Sequence, residues 1–370
     1  MNTTDSVSSL ALDCVRQLVP YVPGKPIEEL ERELGISNII KLASNENPLG
    51  PGKKALAAIQ SALPLLTLYP DGNGFNLKSA LAKKYSLHTD QITLGNGSNE
   101  LLELVARAFL APGLEAIFSE HAFAVYPIVT QAVGATPIVV PALNYGNDLE
   151  AMAAWITAKT RVVFIANPNN PTGTLLRQTD LDKFIAGLPS HCLCLLDEAY
   201  FEFVGSQAEI NSLDWLKIHP NLIITRTFSK AYGLAGLRMG YSLSSPEIAD
   251  ILNRVRQPFN NNSLALAAAE AALSDDEYLQ QTIAVNNQGM SDLTAGFESL
   301  GLEWIPSAGN FIAVDLKRPG QPVYEALLRL GVIVRPIANY GMPNHLRISI
   351  GTQAENQFFL KALEKTLANV

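Results

Sequence analysis

The chain has 370 residues, 48% hydrophobic and 17% charged, which is typical of a soluble globular protein with two or more packed units. Its formal net charge of −8 argues against nucleic-acid binding, which requires a basic surface, and no apolar run is long enough to span a membrane. The three cysteines show no C-x-x-C spacing and the five histidines are scattered. We therefore expect neither a disulfide framework nor a metal site.

The first predicted element is an amphipathic helix over residues 1–18, which lacks a basic leader region and predicts a cytoplasmic protein. The stretch QITLGNGSNELLELVARAFL then predicts a strand, a Gly-x-Gly turn and a helix. Gly95 and Gly97 allow the backbone to approach a ligand, and free amides at the helix start can hold a phosphate. An ordinary helix-capping turn is the open alternative.

Three later segments share one plan: RVVFIANPNNPTG, CLCLLDEAY and NLIITRTFSK. Each is a short apolar run that becomes polar at its C-terminal end, as strands of a buried parallel sheet do. Right-handed crossovers bring such ends to one edge of the sheet, where open α/β proteins bind ligands. The polar residues that we expect to converge there are Asn170, Asp197, Tyr200, Ser229 and Lys230.

Lys230 is either a surface lysine at a strand end or a partly buried amine. Burial lowers an ammonium pKa and makes a nucleophile that can form a Schiff base with an aldehyde cofactor. Asp197 either caps a turn or faces a cationic partner such as a protonated pyridine nitrogen. Tyr200 is either core or a donor to the phenolate oxygen of such a cofactor, and Asn170 is either a turn residue or a second donor.

Arg238 follows the lysine by eight residues in the loop GLAGLRMG. It is either a solvated loop arginine or the partner of a phosphate in the same pocket. Phe123, in HAFAVYP, is either core or a plate on which a flat ring stacks.

Taken together, NPNNPTGT, DEAYFEF, FSKAYGLAGLRMGY and GNGSNELLELVARAF resemble, in order and spacing, the fold-type I, class II pyridoxal-phosphate aminotransferases. Further stretches near both ends of the chain are similar to the histidinol-phosphate aminotransferases of histidine biosynthesis. They are YVPGKPIEELERELGISNIIKLASNENPLGP, LYPDGNGFNLKSALAKKY, VIVRPI and LRISIGT. The resemblance extends from about Tyr21 to the last helix.

The resemblance implies that pyridoxal 5′-phosphate is the cofactor and assigns the residues around its ring. Lys230 would hold the aldehyde carbon and move a proton, and Asp197 would keep the pyridine nitrogen protonated. Tyr200 and Asn170 would donate to the ring oxygen. Phe123 would stack on the ring. Many relatives have tyrosine at this position, so the contact that a tyrosine hydroxyl could make would be absent here.

The resemblance also assigns the cofactor phosphate to the backbone amides of Gly97, Ser98 and Asn99, and to Ser229 and Arg238. Tyr69 matches a tyrosine that family members lend to the neighbouring subunit's cofactor, which implies a homodimer. Tyr21, Arg335 and Arg347 match substrate-binding positions. Two arginine forks suit both a phosphate dianion and a dicarboxylate.

The implied fold is α/β, of the fold type I of pyridoxal-phosphate-dependent transferases. A large domain (46–258) would hold a mostly parallel seven-stranded sheet between helices. A smaller α+β domain would combine the N-terminal arm (1–45) with residues 259–370. We read FIAVDL, VIVRP and LRISIG as strands of this smaller domain.

The expected reaction is transamination of L-histidinol phosphate with 2-oxoglutarate, which yields glutamate. An aromatic aminotransferase and a threonine-phosphate decarboxylase on the same scaffold are the alternatives. A hydrolase that uses Ser229 and Lys230 is disfavoured, because no second serine has S-x-x-K spacing and Asp197 would have no role. A binding module without activity is disfavoured by the presence of both Lys230 and Asp197.

Overall fold

The computed structural model describes residues 7–205 and 211–369. In chain order, its strands are β1 (Ile40–Lys41), β2 (Ile92–Asn96), β3 (Glu115–Ser119), β4 (Thr136–Val140), β5 (Thr160–Ala166), β6 (Leu193–Asp197), β7 (Leu222–Thr227), β8 (Met239–Ser244), β9 (Glu303–Ile305), β10 (Phe311–Asp315), β11 (Val332–Ile333), β12 (Arg335–Pro336) and β13 (His345–Ser349). Its helices are α1 (Asp13–Arg16), α2 (Ile27–Leu34), α3 (Lys53–Ala62), α4 (Phe75–Tyr85), α5 (Ser98–Phe109), α6 (Val125–Ala132), α7 (Leu149–Ala154), α8 (Gln178–Ala186), α9 (Phe201–Val204), α10 (Ser212–Leu216), α11 (Pro246–Val255), α12 (Ser263–Ala272), α13 (Asp276–Ser299), α14 (Gly320–Arg329) and α15 (Gln353–Leu367).

The larger sheet has seven strands in the order β2-β8-β7-β6-β5-β3-β4. β8 runs antiparallel to both of its neighbours, and the remaining neighbours pair in parallel. Alternate residues of the central strands enter two cores on opposite faces. Phe164 packs in the core that contains α5, α6 and α11, whereas Ile165 packs with α8 and α12. The α/β fold with a mostly parallel seven-stranded sheet is confirmed.

A second sheet forms from the C-terminal part of the chain, in the antiparallel order β12-β13-β10-β9. β1 pairs in parallel with β11, which ties the N-terminal segment to this region. α13, α14 and α15 contribute buried residues to a core shared with the second sheet. The three segments that we read as strands of the smaller domain are therefore strands, although VIVRP divides into β11 and β12.

The predicted domain limits at residues 46 and 259 stay a prediction. α12 begins after residue 259, yet its buried alanines lie in the same core as α3, α4 and the large sheet. This packing favours placing the boundary of the large domain beyond Leu273.

The predicted amphipathic helix at the start of the chain is wrong where it can be described. Val7–Leu10 forms one 3-10 turn and α1 only one helical turn, while residues 1–6 lie outside the described residues. Val7 and Leu10 are each 82% exposed. A helix this short is marginal without tertiary packing, and although Cys14 Sγ donates to the carbonyl of Ala132 at 3.8 Å, most side chains of the segment stay exposed.

Candidate active site

A cavity of about 190 Å³ opens at the carboxyl ends of β5, β6 and β7. β6 is hydrogen-bonded in parallel to both neighbours, so the residues that follow these strands lie side by side. The lining residues are Tyr21, Gly24, Ala43, Ser44, Asn45, Ser98, Asn99, Phe123, Ala166, Pro168, Asn170, Asp197, Ala199, Tyr200, Thr227, Ser229, Lys230, Arg238, Arg335 and Arg347. The five predicted strand-end residues therefore do meet around one cavity.

Lys230 presents a partly buried amine to this cavity. Its Nζ donates a hydrogen bond to the carbonyl oxygen of Ser44 at 3.0 Å. Burial lowers the pKa of Lys230 to about 7, and the positive charge of Arg347 acts in the same direction. A large fraction of this amine is therefore neutral near pH 7 and is a competent nucleophile.

Asp197 is a buried carboxylate at the end of β6. The Tyr126 hydroxyl donates to its Oδ2 at 2.9 Å, and the Thr225 hydroxyl donates to Oδ1 at 3.3 Å. Burial raises the pKa of Asp197, while these hydrogen bonds act against the rise. Within residues 7–205 and 211–369, Asp197 takes part in no salt bridge, so the site suits a cation brought by a ligand.

The turn between β2 and α5 approaches Arg238 closely. Gly97 has φ +79°, and a Cβ there would lie 2.3 Å from an Nη of Arg238. No side chain caps the start of α5, and Arg238 donates to the Ser229 Oγ at 3.4 Å. A helix start, a guanidinium and a hydroxyl therefore surround one end of the cavity, as a bound phosphate requires.

Tyr200 and Asn170 present hydrogen-bonding groups to the middle of the cavity. Burial raises the pKa of Tyr200 to about 12, so its hydroxyl stays protonated near neutral pH. The Oδ1 of Asn170 accepts from Arg347 at 2.5 Å, which leaves the amide nitrogen as a donor for a ligand. Phe123 also lines the cavity and packs edge-on against Tyr126, with ring centroids 5.9 Å apart.

Arg335 and Arg347 face each other on adjacent strands. They are directly paired in the β12–β13 register, and both line the cavity. Opposite residues of an antiparallel pair have Cβ atoms about 5 Å apart, and like charges at that distance repel. Arg347 is buried, which lowers its pKa, and its Nε has no hydrogen-bond partner. The charge and position of this pair suit an anionic ligand.

Tyr21 lies beside the arginine pair. The guanidinium carbon of Arg335 is 5.8 Å from the centre of the Tyr21 ring, and Arg335 donates to the carbonyl of Val22 at 2.7 Å. The N-terminal segment therefore closes the end of the cavity at which the predicted substrate residues meet.

Comparison with known proteins agrees with this geometry. The sequence model of the family "Aminotransferase class I and II" matches residues 37–363. Histidinol-phosphate aminotransferase 2 of Pseudomonas fluorescens is 64% identical over 97% of this chain and 98% of its own length. The corresponding protein of Pseudomonas aeruginosa is 62% identical over 98% of both chains. The chain belongs to the histidinol-phosphate aminotransferase family.

A solved structure extends the comparison to the fold. Histidinol-phosphate aminotransferase from Sinorhizobium meliloti, crystallised in complex with pyridoxal-5′-phosphate, superimposes with a TM-score of 0.91. The two sequences are 30% identical, and the alignment covers 97% of this chain and 98% of the other. The fold-type I architecture expected from the resemblance is therefore shown for this aminotransferase.

Two predicted site residues do not line the cavity of their own chain: Gly97, which lies next to the lining residue Ser98, and Tyr69. Tyr69 is 83% exposed and stacks on Phe259, with ring centroids 4.9 Å apart. Its predicted role at a neighbouring subunit's cofactor stays a prediction.

Sequence reasoning did not select four residues that support the site. Ser44 and Asn45 lie in the stretch KLASNENPLG, and they contact Lys230 and Tyr200 respectively. Tyr126 and Thr225 both donate to Asp197. For Tyr126 a signal existed, since it follows Phe123 by three residues in the stretch HAFAVYP. The other contacts depend on tertiary packing.

Two negative findings hold for the described part of the chain. No group of three or more histidine, cysteine, aspartate or glutamate side chains is arranged to hold a metal ion. None of its helices combines the length and the apolar character needed to cross a membrane.

Proposed function

We propose that this chain transfers the amino group of L-histidinol phosphate to 2-oxoglutarate, giving imidazole acetol phosphate and glutamate in histidine biosynthesis. The observation that carries the proposal is the single cavity in which Lys230 and Asp197 lie beside the arginine pair of β12 and β13. The names of relatives that are 62% and 64% identical support the choice of substrate.

The cavity residues fit pyridoxal phosphate as the cofactor. A buried carboxylate without a cationic partner suits its pyridinium nitrogen, and the cradle formed by Gly97 and Arg238 suits its phosphate. When bound, this cofactor supplies an electron-accepting ring next to the substrate's α-carbon. The phosphate would be held by Gly97, Ser98, Asn99, Ser229 and Arg238.

Lys230 has two tasks in this proposal. As a neutral amine, it would hold the cofactor at its aldehyde carbon, and its pKa of about 7 favours that neutral form. When the substrate amine takes its place there, the freed amine of Lys230 would accept the proton of the substrate's α-carbon and return it to the former aldehyde carbon of the cofactor. Both tasks need the unprotonated form, which burial and the charge of Arg347 favour.

Asp197 would keep a positive charge on the pyridine nitrogen of the bound cofactor. Tyr126 and Thr225 hold both of its oxygens, so the carboxylate stays oriented toward the ligand. Tyr200, the amide nitrogen of Asn170 and Phe123 line the same cavity, where the first two would donate to the ring oxygen and Phe123 would pack on the ring face. These residues bind and orient, and together they exclude water from the reacting atoms.

The arginine pair explains how one pocket serves two substrates. Histidinol phosphate carries a phosphate dianion, and glutamate carries two carboxylates. Arg335 and Arg347 offer two planar forks on one face of the second sheet, and each fork binds a phosphate or a carboxylate in bidentate fashion. Tyr21 contacts the same end of the cavity.

We also propose a homodimer. Large apolar side chains are exposed on the segment around Tyr69 and on neighbouring elements. They are Leu63, Leu65, Leu66, Leu68, Tyr69, Phe75 and Phe259. A patch of this kind is rarely left in contact with water, and a second copy of the chain would cover it while bringing Tyr69 to the other subunit's cofactor.

A cytoplasmic location is part of the same proposal. All three cysteines are free, and Cys192 and Cys194 are buried. Unpaired, unreactive cysteines are typical of proteins in a reducing compartment.

The test is a turnover assay of the purified chain with pyridoxal phosphate. Histidinol phosphate and 2-oxoglutarate should yield glutamate, and Lys230→Arg, which keeps the charge but loses the primary amine, should yield none. Phenylalanine and tyrosine test the aromatic alternative, and threonine phosphate with detection of carbon dioxide tests the decarboxylase. Faster turnover of any of these three, or carbon dioxide release, would refute the proposed substrate.

A further inference from the structure

Asn45 lies at the centre of a hydrogen-bond network beneath the cavity. It is 1% exposed and has φ +54°, a left-handed conformation that asparagine tolerates better than most residues. Its backbone N–H donates to Ser349 Oγ at 2.7 Å, and its carbonyl accepts from the Asn310 amide at 3.0 Å. Its side chain bonds Ser349 on one side and Tyr200 on the other.

The network determines which end of the Asn45 amide faces which partner. Ser349 Oγ already accepts from the Asn45 backbone, so its only hydrogen is available for the amide oxygen Oδ1 at 3.1 Å. Oδ1 therefore faces Ser349 and Nδ2 faces Tyr200. In the opposite orientation, Ser349 Oγ would accept from two N–H groups and its own hydrogen would lose the Oδ1 acceptor.

This orientation in turn determines the direction of the Tyr200 hydroxyl. Nδ2 of Asn45 donates to the Tyr200 oxygen at 2.9 Å. An N–H that points at the hydroxyl oxygen excludes the hydroxyl hydrogen from that side. Among residues 7–205 and 211–369, no acceptor lies within hydrogen-bonding geometry of the Tyr200 hydroxyl hydrogen, and Tyr200 lines the cavity. Its hydrogen is thus available to a ligand.

We propose that Asn45 is a positioning residue that makes Tyr200 a hydrogen-bond donor to the ring oxygen of the bound cofactor, with Ser349 setting the orientation of the Asn45 amide. The inference rests on the proposed function, since it concerns the same cavity and cofactor. Ser349 lies two residues beyond Arg347 on β13, on the same face of the strand. The strand that binds the substrate anion therefore also directs the donor to the cofactor.

The measurable consequence is a change in proton affinity. A donor to the ring oxygen stabilises negative charge there and reduces the proton affinity of the nitrogen that joins Lys230 to the cofactor. Protonation of that nitrogen changes the visible absorption of the loaded protein. The pH midpoint of this spectral change reports the Tyr200 hydrogen bond without any substrate turnover.

The decisive variant is Asn45→Asp, which has nearly the same shape and tolerates the same backbone conformation. Its carboxylate accepts from the Tyr200 hydroxyl and turns the hydrogen away from the cavity. We expect the midpoint to move upward by about one pH unit, the shift that corresponds to losing a hydrogen bond to a charged group. Tyr200→Phe should move it in the same direction.

A double-mutant cycle separates this effect from the new negative charge, which also raises the proton affinity of the nitrogen. If the proposal holds, Asn45→Asp causes a much smaller shift in the Tyr200→Phe background than in the wild type. Equal shifts in both backgrounds mean that the charge acts alone, and they would overturn the proposal. An unchanged midpoint in Asn45→Asp would overturn it as well.

Ser349→Ala is the second variant and is useful if Asn45→Asp does not fold. Without the serine hydroxyl, nothing fixes the orientation of the Asn45 amide. We expect a smaller upward shift of the pH midpoint, and no such shift when Tyr200→Phe is also present. No shift in this variant contradicts the inference. Failure of the proposed function looks different, because the wild-type chain itself would then show no visible cofactor band or no turnover.

Discussion

The pKa of Lys230 sets the pH at which the cofactor-free chain captures pyridoxal phosphate. Burial lowers this pKa to about 7, with a further contribution from the charge of Arg347. The reactive species is the neutral amine, which makes up about half of the population at pH 7. For a lysine in water this fraction is about 3 in 10,000, so the site gains on the order of a thousandfold in reactive amine.

The rate of cofactor capture should increase with pH. Burial disfavours the ammonium form, so the amine loses its proton at a lower pH than a free lysine. Capture should therefore accelerate as the pH rises through about 7 and reach a plateau by about pH 8 to 9. A lysine with an ordinary pKa would still be accelerating near pH 10.

Arg347→Met provides the perturbation, because it removes the charge that acts on Lys230 while keeping a long apolar side chain. The pKa of Lys230 should rise, the midpoint should move to higher pH, and capture at pH 7 should slow. Arg335→Met is the matched control. Arg335 lines the same cavity but is not among the main causes of the shift in the Lys230 pKa, so the midpoint of this control should stay near that of the wild type.

The assay is stopped-flow absorbance after mixing cofactor-free chain with pyridoxal phosphate, across about pH 5 to pH 10. Lys230→Ala serves as the baseline, since it lacks the amine. A capture rate that still increases above about pH 9, or equal midpoints in Arg347→Met and Arg335→Met, would refute the reasoning.

Three further results are expected. Asp197→Asn should reduce turnover by orders of magnitude, since a neutral pyridine accepts electrons poorly, and an unchanged rate would remove Asp197 from this role. Gly97→Ala should weaken cofactor binding, measured by equilibrium dialysis, because its Cβ would collide with Arg238 at φ +79°; unchanged binding contradicts the phosphate cradle. The Tyr69→Phe variant should retain the cofactor less well than the wild type, and only when two subunits are assembled. Mixed dimers with Lys230→Ala subunits test this, and retention equal to the wild type argues against cross-subunit binding.

The strands β5, β6 and β7 and the polar residues at their ends could be predicted from short stretches of sequence. β5, β6 and β7 are uninterrupted apolar runs that end in polar residues, and a run of this kind has few alternatives to a buried parallel strand. Asn170, Asp197 and Lys230 were therefore expected at one sheet edge before any contact was known. The predicted N-terminal helix was wrong because Val7, Leu10 and Leu12 stay exposed, and an apolar pattern that is not buried does little to stabilise a helix.

The sequence by itself determined which reactive groups this protein carries and which strands deliver them, because strand formation depends on residues that are close in the chain. Only the tertiary structure decided what holds those groups in place. Tyr126 reaches Asp197 from 71 positions away, Asn45 reaches Tyr200 across 155, and Ser349 reaches Asn45 across 304. Hydrogen bonds between such distant residues leave no local pattern, since their geometry exists only after the chain has folded.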